Sequence, residues 1–218
     1  MKRRTLDLLF SFGGVGLAAL LLVIGVVMSS NANFSEKYVT DQLRQQKITF
    51  KTADTLTDEE RQAGCLVTYA GQELATGKQA ECYANQFIGL HVKTSANDQT
   101  YAQLGDVQTG LRAQIVTAQR NNDPGVADLQ KRLTDTATQR ESVFKGETLR
   151  GILLTSYGFS VLGTKAAQAA TVIYLGVILL LALSVAGFIH ALVTPKNAAF
   201  AEPDTNDAVT TGRVKVSA

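Results

Sequence analysis

Twenty-five consecutive residues without a charged side chain, Ala169 to Val193, stop just short of Pro195. At about 1.5 Å of rise per residue, such a helix crosses a hydrocarbon core of roughly 30 Å with some tilt. Leu8 to Met28 is a second run of the same character. Only helices and closed barrels satisfy their backbone in lipid, so the expectation is an all-α membrane protein with two antiparallel transmembrane helices. We place these at 8–30 and 169–193, flanking a helical domain held on the far side of the bilayer from both termini.

Roughly 135 residues lie between the spans, enough for one modest domain. Asn31 to Gln168 carries fifteen Lys and Arg against fifteen Asp and Glu. That balance argues against a nucleic-acid partner, because phosphate recognition relies on clustered cations. Lys2, Arg3 and Arg4 precede the first run and Lys196 follows the second. By the positive-inside rule both termini, 1–7 and 194–218, are cytoplasmic and the central domain is extracytoplasmic. The membrane in question is then a plasma membrane crossed twice. Lys37 and Lys165 on the outer flanks weaken the asymmetry without reversing it. Ser30-Asn31-Ala32 loosely fits a signal-peptide cleavage site, but the apolar run of 21 residues exceeds the 7 to 15 of a signal core, which favours a retained anchor.

The two cysteines, Cys65 and Cys82, both fall in the central domain. In an oxidising compartment the simplest reading is one disulfide; the alternative is a pair of buried thiols. Their spacing does not suit a C-x-x-C redox motif, and two thiols without a suitable His cluster make a poor zinc site.

Three segments open with a helix-capping pattern: Thr57-Asp-Glu-Glu60, Thr76-Gly-Lys-Gln79 and Thr100-Tyr-Ala-Gln103. The first predicts a short helix ended by Gly64. Behind the second, Ala80, Tyr83, Ala84, Phe87, Ile88 and His91 recur at three and four, the mark of one buried stripe. The third leads Leu104, Val107, Leu111 and Ile115 along a face until Asn121-Asn-Asp-Pro-Gly125 breaks it. Val126, Leu129, Leu133 and Ala137 then resume, so an antiparallel helical hairpin is expected. Earlier, Phe34, Tyr38 or Val39, and Leu43 continue the first span outward as an amphipathic helix, and Lys47 to Lys51 alternates like a short extended arm.

Between Arg150 and Lys165 there is again no charge. Fourteen residues are too few to span, so 151–168 reads as an interfacial, re-entrant or buried helix. Its apolar side needs a cover: the domain's own helices, the outer leaflet, or a partner. Gly151, Gly158 and Gly163 permit a bend or a close helix contact there. The tail, poor in large apolar residues, is expected to be disordered.

Several short motifs carry a resemblance. Gln42-Leu43 with Gln46-Lys-Ile-Thr-Phe50, Tyr69-Ala-Gly-Gln72, Tyr83-Ala-Asn85 with Ile88 and His91, Gly146-Glu-Thr-Leu-Arg-Gly151, and Tyr157-Gly-Phe159 resemble a group of uncharacterised two-span actinobacterial envelope proteins. The resemblance implies an actinobacterial plasma membrane, and no activity comes with it.

Candidate chemistry is thin. His91 in the central domain and His190 in the second span would lie on opposite sides of the bilayer, so they cannot share a metal. His91 on an apolar stripe reads as a core residue, and Asp58-Glu-Glu60 as negative charge favoured at a helix N-terminus. His190 carries somewhat more functional weight, because ionisable residues inside spans are costly. No catalytic, cofactor or metal residue is assigned. The expectation is a non-enzymatic accessory or scaffold subunit of an envelope complex. Its contact residues would be Gly151, Tyr157, Gly158, Phe159 and Gly163, with Ala182, Ala186, Gly187 and Ala191 on the second span. Its partners would be the lipid bilayer and other envelope proteins, or a second copy through the spans. The alternative is binding of a lipid or other apolar ligand between the outward helices and Ile152 to Leu162.

Overall fold

The computed structural model describes residues 3–195, so the tail beyond Pro195 lies outside the described residues. The described chain is helical: α1 (Arg3–Gln45), α2 (Asp58–Gln62), α3 (Gly64–Thr68), α4 (Gly77–Cys82), a π-helical turn (Tyr83–Ile88), α5 (Gly89–Ser95), α6 (Tyr101–Arg120) and α7 (Val126–Val193). No strand is present among the described residues, and one isolated bridge joins Thr49 to Glu73. Two of the helices, α1 and α7, are long and apolar enough to cross a membrane.

The described chain divides into two compact units, one of residues 3–29 and 168–195 and one of residues 30–167. In the first unit, the buried positions are small: Ser11, Ala18, Ala170, Val177, Ser184 and Ala191. The large side chains, Leu20, Val23, Ile178, Leu179 and Leu183 among them, are exposed. Contacts pair low residue numbers with high ones. Asp7 meets His190, Ser11 packs against Gly187, Ser184 against Gly14, Ile173 and Tyr174 against Gly25, and Ser29 Oγ lies 3.1 Å from Tyr174 Oη. Phe12 and Phe188 meet edge to face with centroids 5.0 Å apart. Of the small residues in the first apolar run, Gly14 and Ala18 face inward, whereas Gly13 and Gly16 touch nothing.

The second unit has a conventional core of large buried side chains: Val39, Leu43, Phe50, Leu56, Leu66, Leu74, Ile88 and Leu153. The three capping boxes form, with Thr57, Thr76 and Thr100 each paired reciprocally with Glu60, Gln79 and Gln103. Gly64 opens α3 as well as following α2, with no left-handed backbone. The arm from Lys47 docks by three backbone bonds, Leu74 N–H to Ile48 O at 2.8 Å, Phe50 N–H to Gln72 O at 2.9 Å and Gly71 N–H to Lys51 O at 3.1 Å. Cys65 and Cys82 stand at disulfide-bonding distance, Cα atoms 6.0 Å apart, tying α3 to α4.

One sequence expectation changes. The stripe behind Thr76 is not a uniform α-helix, because a π-helical turn at Tyr83–Ile88 resets the register. Ala80, Ala84 and Ile88 are buried, and His91 is rotated out to the surface. Within the segment 151–168, read as an interfacial, re-entrant or buried helix, α7 runs unbroken, and its glycines introduce no kink that interrupts the helix. Without a proline the backbone ladder is free to continue. Leu153 is buried and Leu154 packs on the core, so the domain's own side chains cover one side of this segment. In the α6 stripe, Leu104, Leu111 and Ile115 are buried as expected, while Gln108 is buried in place of the half-exposed Val107 and accepts from Arg140 Nη1 at 3.1 Å.

Candidate interaction surfaces

Four serines sit in notches made by glycines. Ser11 faces Gly187 and Ser184 faces Gly14 in the first unit; Ser35 faces Gly163 and Ser160 faces Gly77 in the second. A Cβ on Gly77 or Gly163 would strike the serine Cβ, so those two contacts need glycine, whereas on Gly14 or Gly187 it would meet only the serine hydroxyl, which must turn aside. Ser35 also donates to the Phe159 carbonyl at 2.7 Å. These contacts sort the nine residues proposed for partner contact. Gly163, Gly187 and Ala191 are occupied within the chain. Tyr157 is half-buried under Lys78, whose Nζ lies 5.2 Å from the ring centroid. A Cβ on Gly151 or Gly158 would meet nothing within 4 Å, and Phe159, Ala182 and Ala186 are exposed.

The outward residues of α7 in the second unit form one face. Gly151, Thr155, Gly158 and Leu162 recur at intervals of four, three and four, with Ile152 and Phe159 alongside. Leu153, Ser160 and Gly163 occupy the opposite face and are used internally. Ile152 and Leu162 remain 60% and 67% exposed.

Sequence reasoning missed a buried carboxylate. Glu60 is 1% exposed and accepts from Lys51 Nζ at 2.8 and 3.1 Å and from the Thr57 backbone N–H at 2.8 Å. Burial pushes its pKa up, but the Lys51 and Thr57 hydrogen bonds and the Lys51 charge outweigh it and hold the carboxyl below its ordinary 4.5. His91 Nε2 lies 3.7 Å from Glu60 Oε1, and His91 Nδ1 donates to the Phe87 carbonyl at 2.7 Å. The only signal for this burial was that Glu60 closes a capping box, which aims its carboxylate back at the chain and toward Lys51.

A cleft of about 950 Å³ opens between α2, the π-helical turn, α5, the start of α6 and α7. Its charges are largely paired: Arg150 with Glu147 at 3.0 Å, Lys93 with Asp98 at 3.2 Å. Arg150 Nη2 also reaches Asn85 Oδ1 at 3.4 Å, which brings together two of the resembling motifs. Arg150 Nε, beside Gly89, is buried without a hydrogen-bond partner.

Among the described residues no group of three or more His, Cys, Asp or Glu is placed to hold a metal ion. Each histidine lies beside one carboxylate, His91 near Glu60 at 3.7 Å and His190 near Asp7 at 2.9 Å. Compared with known protein families, curated proteins and solved structures, the chain matches none.

Proposed function

We propose that this chain is a non-enzymatic accessory or scaffold subunit of a plasma-membrane complex, with two antiparallel transmembrane helices, cytoplasmic termini and an extracytoplasmic helical domain. The observation that carries this reading is the uncovered face of α7: Gly151, Thr155, Gly158 and Leu162, flanked by exposed Ile152 and Phe159. Glycine notches beside protruding apolar side chains suit close approach of another helix. Ala182 and Ala186 offer a similar small-residue face on the second span. The resemblance to two-span actinobacterial envelope proteins fits the same assignment. The large cleft mixes charged and amide side chains with apolar wall from Leu90, Val92 and Val143, so an apolar ligand there would have to desolvate the polar groups.

The test is extraction of the tagged full-length chain from its own membranes in mild detergent, followed by native electrophoresis and mass spectrometry. Stoichiometric co-migrating membrane proteins are expected, and Gly158→Leu or Ala186→Leu should reduce their recovery severalfold while insertion stays intact. A lone species carrying bound lipid, or recovery unchanged by both variants, overturns the proposal. Gly163→Leu is the contrasting variant, because its side chain would collide with Ser35 and perturb the domain itself.

A further inference from the structure

The cleft beside the π-helical turn is a site that the scaffold reading leaves unused, and it lies wholly within residues 30–167. We propose that it binds a neutral, hydroxyl-rich ligand: a short oligosaccharide. The class follows from what the walls accept and reject. Three carboxylates (Glu59, Asp98 and Glu147) face two cations (Lys93 and Arg150), leaving a net charge of −1 that repels an anion. Each cation is already matched to a carboxylate, so an anionic ligand would also have to break a pair. A lipid tail would strip water from those groups without replacing their bonds. Strand addition, one common way of holding an extended peptide, is not offered here, because no strand exists among the described residues.

What remains free is amide chemistry. Gln62, Gln86 and Gln99 present side-chain amides along the cleft, each with donors and an acceptor in one plane. Sugar hydroxyls both donate and accept, so adjacent hydroxyls can bridge one amide. Leu90 and Ala102 supply apolar wall for the C–H face of a ring. The cleft volume, about 950 Å³, lies at the upper end of the range for small-molecule sites, enough for more than one ring. The π-helical turn and the orphaned Arg150 Nε lie in the same wall. Both are unusual features: π-turns are rare and collect at functional sites, and a buried donor is rarely left without a partner.

The experiment is ligand-observed saturation-transfer NMR on the full-length protein in detergent micelles, with chitotriose, cellotriose, maltotriose and mannotriose as probes. At least one trisaccharide should bind, and Gln86→Ala combined with Gln99→Ala should weaken it tenfold or more. Gln114→Ala, thirteen residues beyond the start of α6, should bind as the parent does. Circular dichroism of the double variant checks that the helices are kept; if they are lost, the exposed single variant Gln86→Ala replaces it, with a threefold or greater loss expected. Absence of binding by all four probes at millimolar concentration overturns the proposal. So does binding insensitive to the cleft variants, or cleft-dependent binding of heparin fragments or a synthetic peptide pool in place of the sugars.

Discussion

The two units of this chain bury opposite things. Residues 30–167 hide Leu66, Leu74, Leu104 and Leu153 and keep their charges outside, Glu60 excepted. The unit of residues 3–29 and 168–195 hides serine, alanine and one valine, and leaves leucine, isoleucine and phenylalanine outside. The same serine-in-glycine contact appears in both, so the local geometry is shared and the difference lies in what surrounds it. In water, apolar area removed from solvent drives packing at roughly 25 cal/mol per Å². Where the surroundings are as apolar as the side chains, that drive vanishes and close contact between small residues takes over. The apolar windows of α1 and α7 are only 17% and 11% buried, which suits a lipid environment for these segments.

The strongest way to break the comparison is to make one truncation in both units. Leu74→Ala should cost about 2–5 kcal/mol, because Leu74 is fully buried and the core cannot collapse completely around the gap. Leu179→Ala, at a position 60% exposed, should leave unfolding almost unchanged. Denaturant titration of the full-length chain in micelles, followed by circular dichroism, reads both. Equal losses would mean that residues 168–195 pack their large side chains against something else.

The next largest effect should come from Glu60. Glu60→Gln removes the charge that Lys51 and Thr57 were arranged to meet and should destabilise the second unit by about 2 kcal/mol. Because the folded carboxyl titrates below its ordinary 4.5, its contribution is fully present above that value and is lost as pH falls through the depressed folded value. Melting temperature measured against pH should therefore drop more steeply on the acid side for the parent than for Glu60→Gln. Parallel curves would show that Glu60 is not the group responsible. No comparable carboxylate is buried among the described residues of the first unit.

How much of this was legible in the sequence depended on range. Capping boxes at Thr57, Thr76 and Thr100 are relations across three residues, and all three stand in the structure. The Asn121 to Gly125 break is equally local: Asp123 Oδ1 accepts from the Gly125 N–H at 2.7 Å. The apolar runs reveal two long helices by composition alone. What escaped was set by partners distant in the chain. Glu60 is acidic at a helix start, a position normally solvated, and it is met by Lys51 at 2.8 Å and approached by His91 at 3.7 Å. His91 follows an apolar periodicity that holds only while the helix has 3.6 residues per turn, and the π-turn shifts it outward. Gly163 and Gly158 look alike in sequence; only the positions of Ser35 and the open face distinguish them.

The smallest effect tests the shared contact itself. In the first unit, a Cβ on Gly187 meets Ser11 Oγ, and a Cβ on Gly14 meets Ser184 Oγ. Gly187→Ala should therefore loosen the contact by about 1 kcal/mol through overpacking, a cost set by one methyl group against one hydroxyl. Removing the obstacle should recover it: Ser11→Gly with Gly187→Ala exchanges knob and hole and should return most of the lost stability. The non-additivity of the double variant, within the roughly 0.5–3 kcal/mol typical of residues in contact, measures the contact directly. Cysteine cross-linking between residues 14 and 184, which stand in contact in the same unit, would follow it in the full-length chain. If the two substitutions add without coupling, Ser11 does not occupy the Gly187 notch. The first unit would then be held by its other contacts, Gly14 with Ser184, Phe12 with Phe188, Asp7 with His190 and Ser29 with Tyr174.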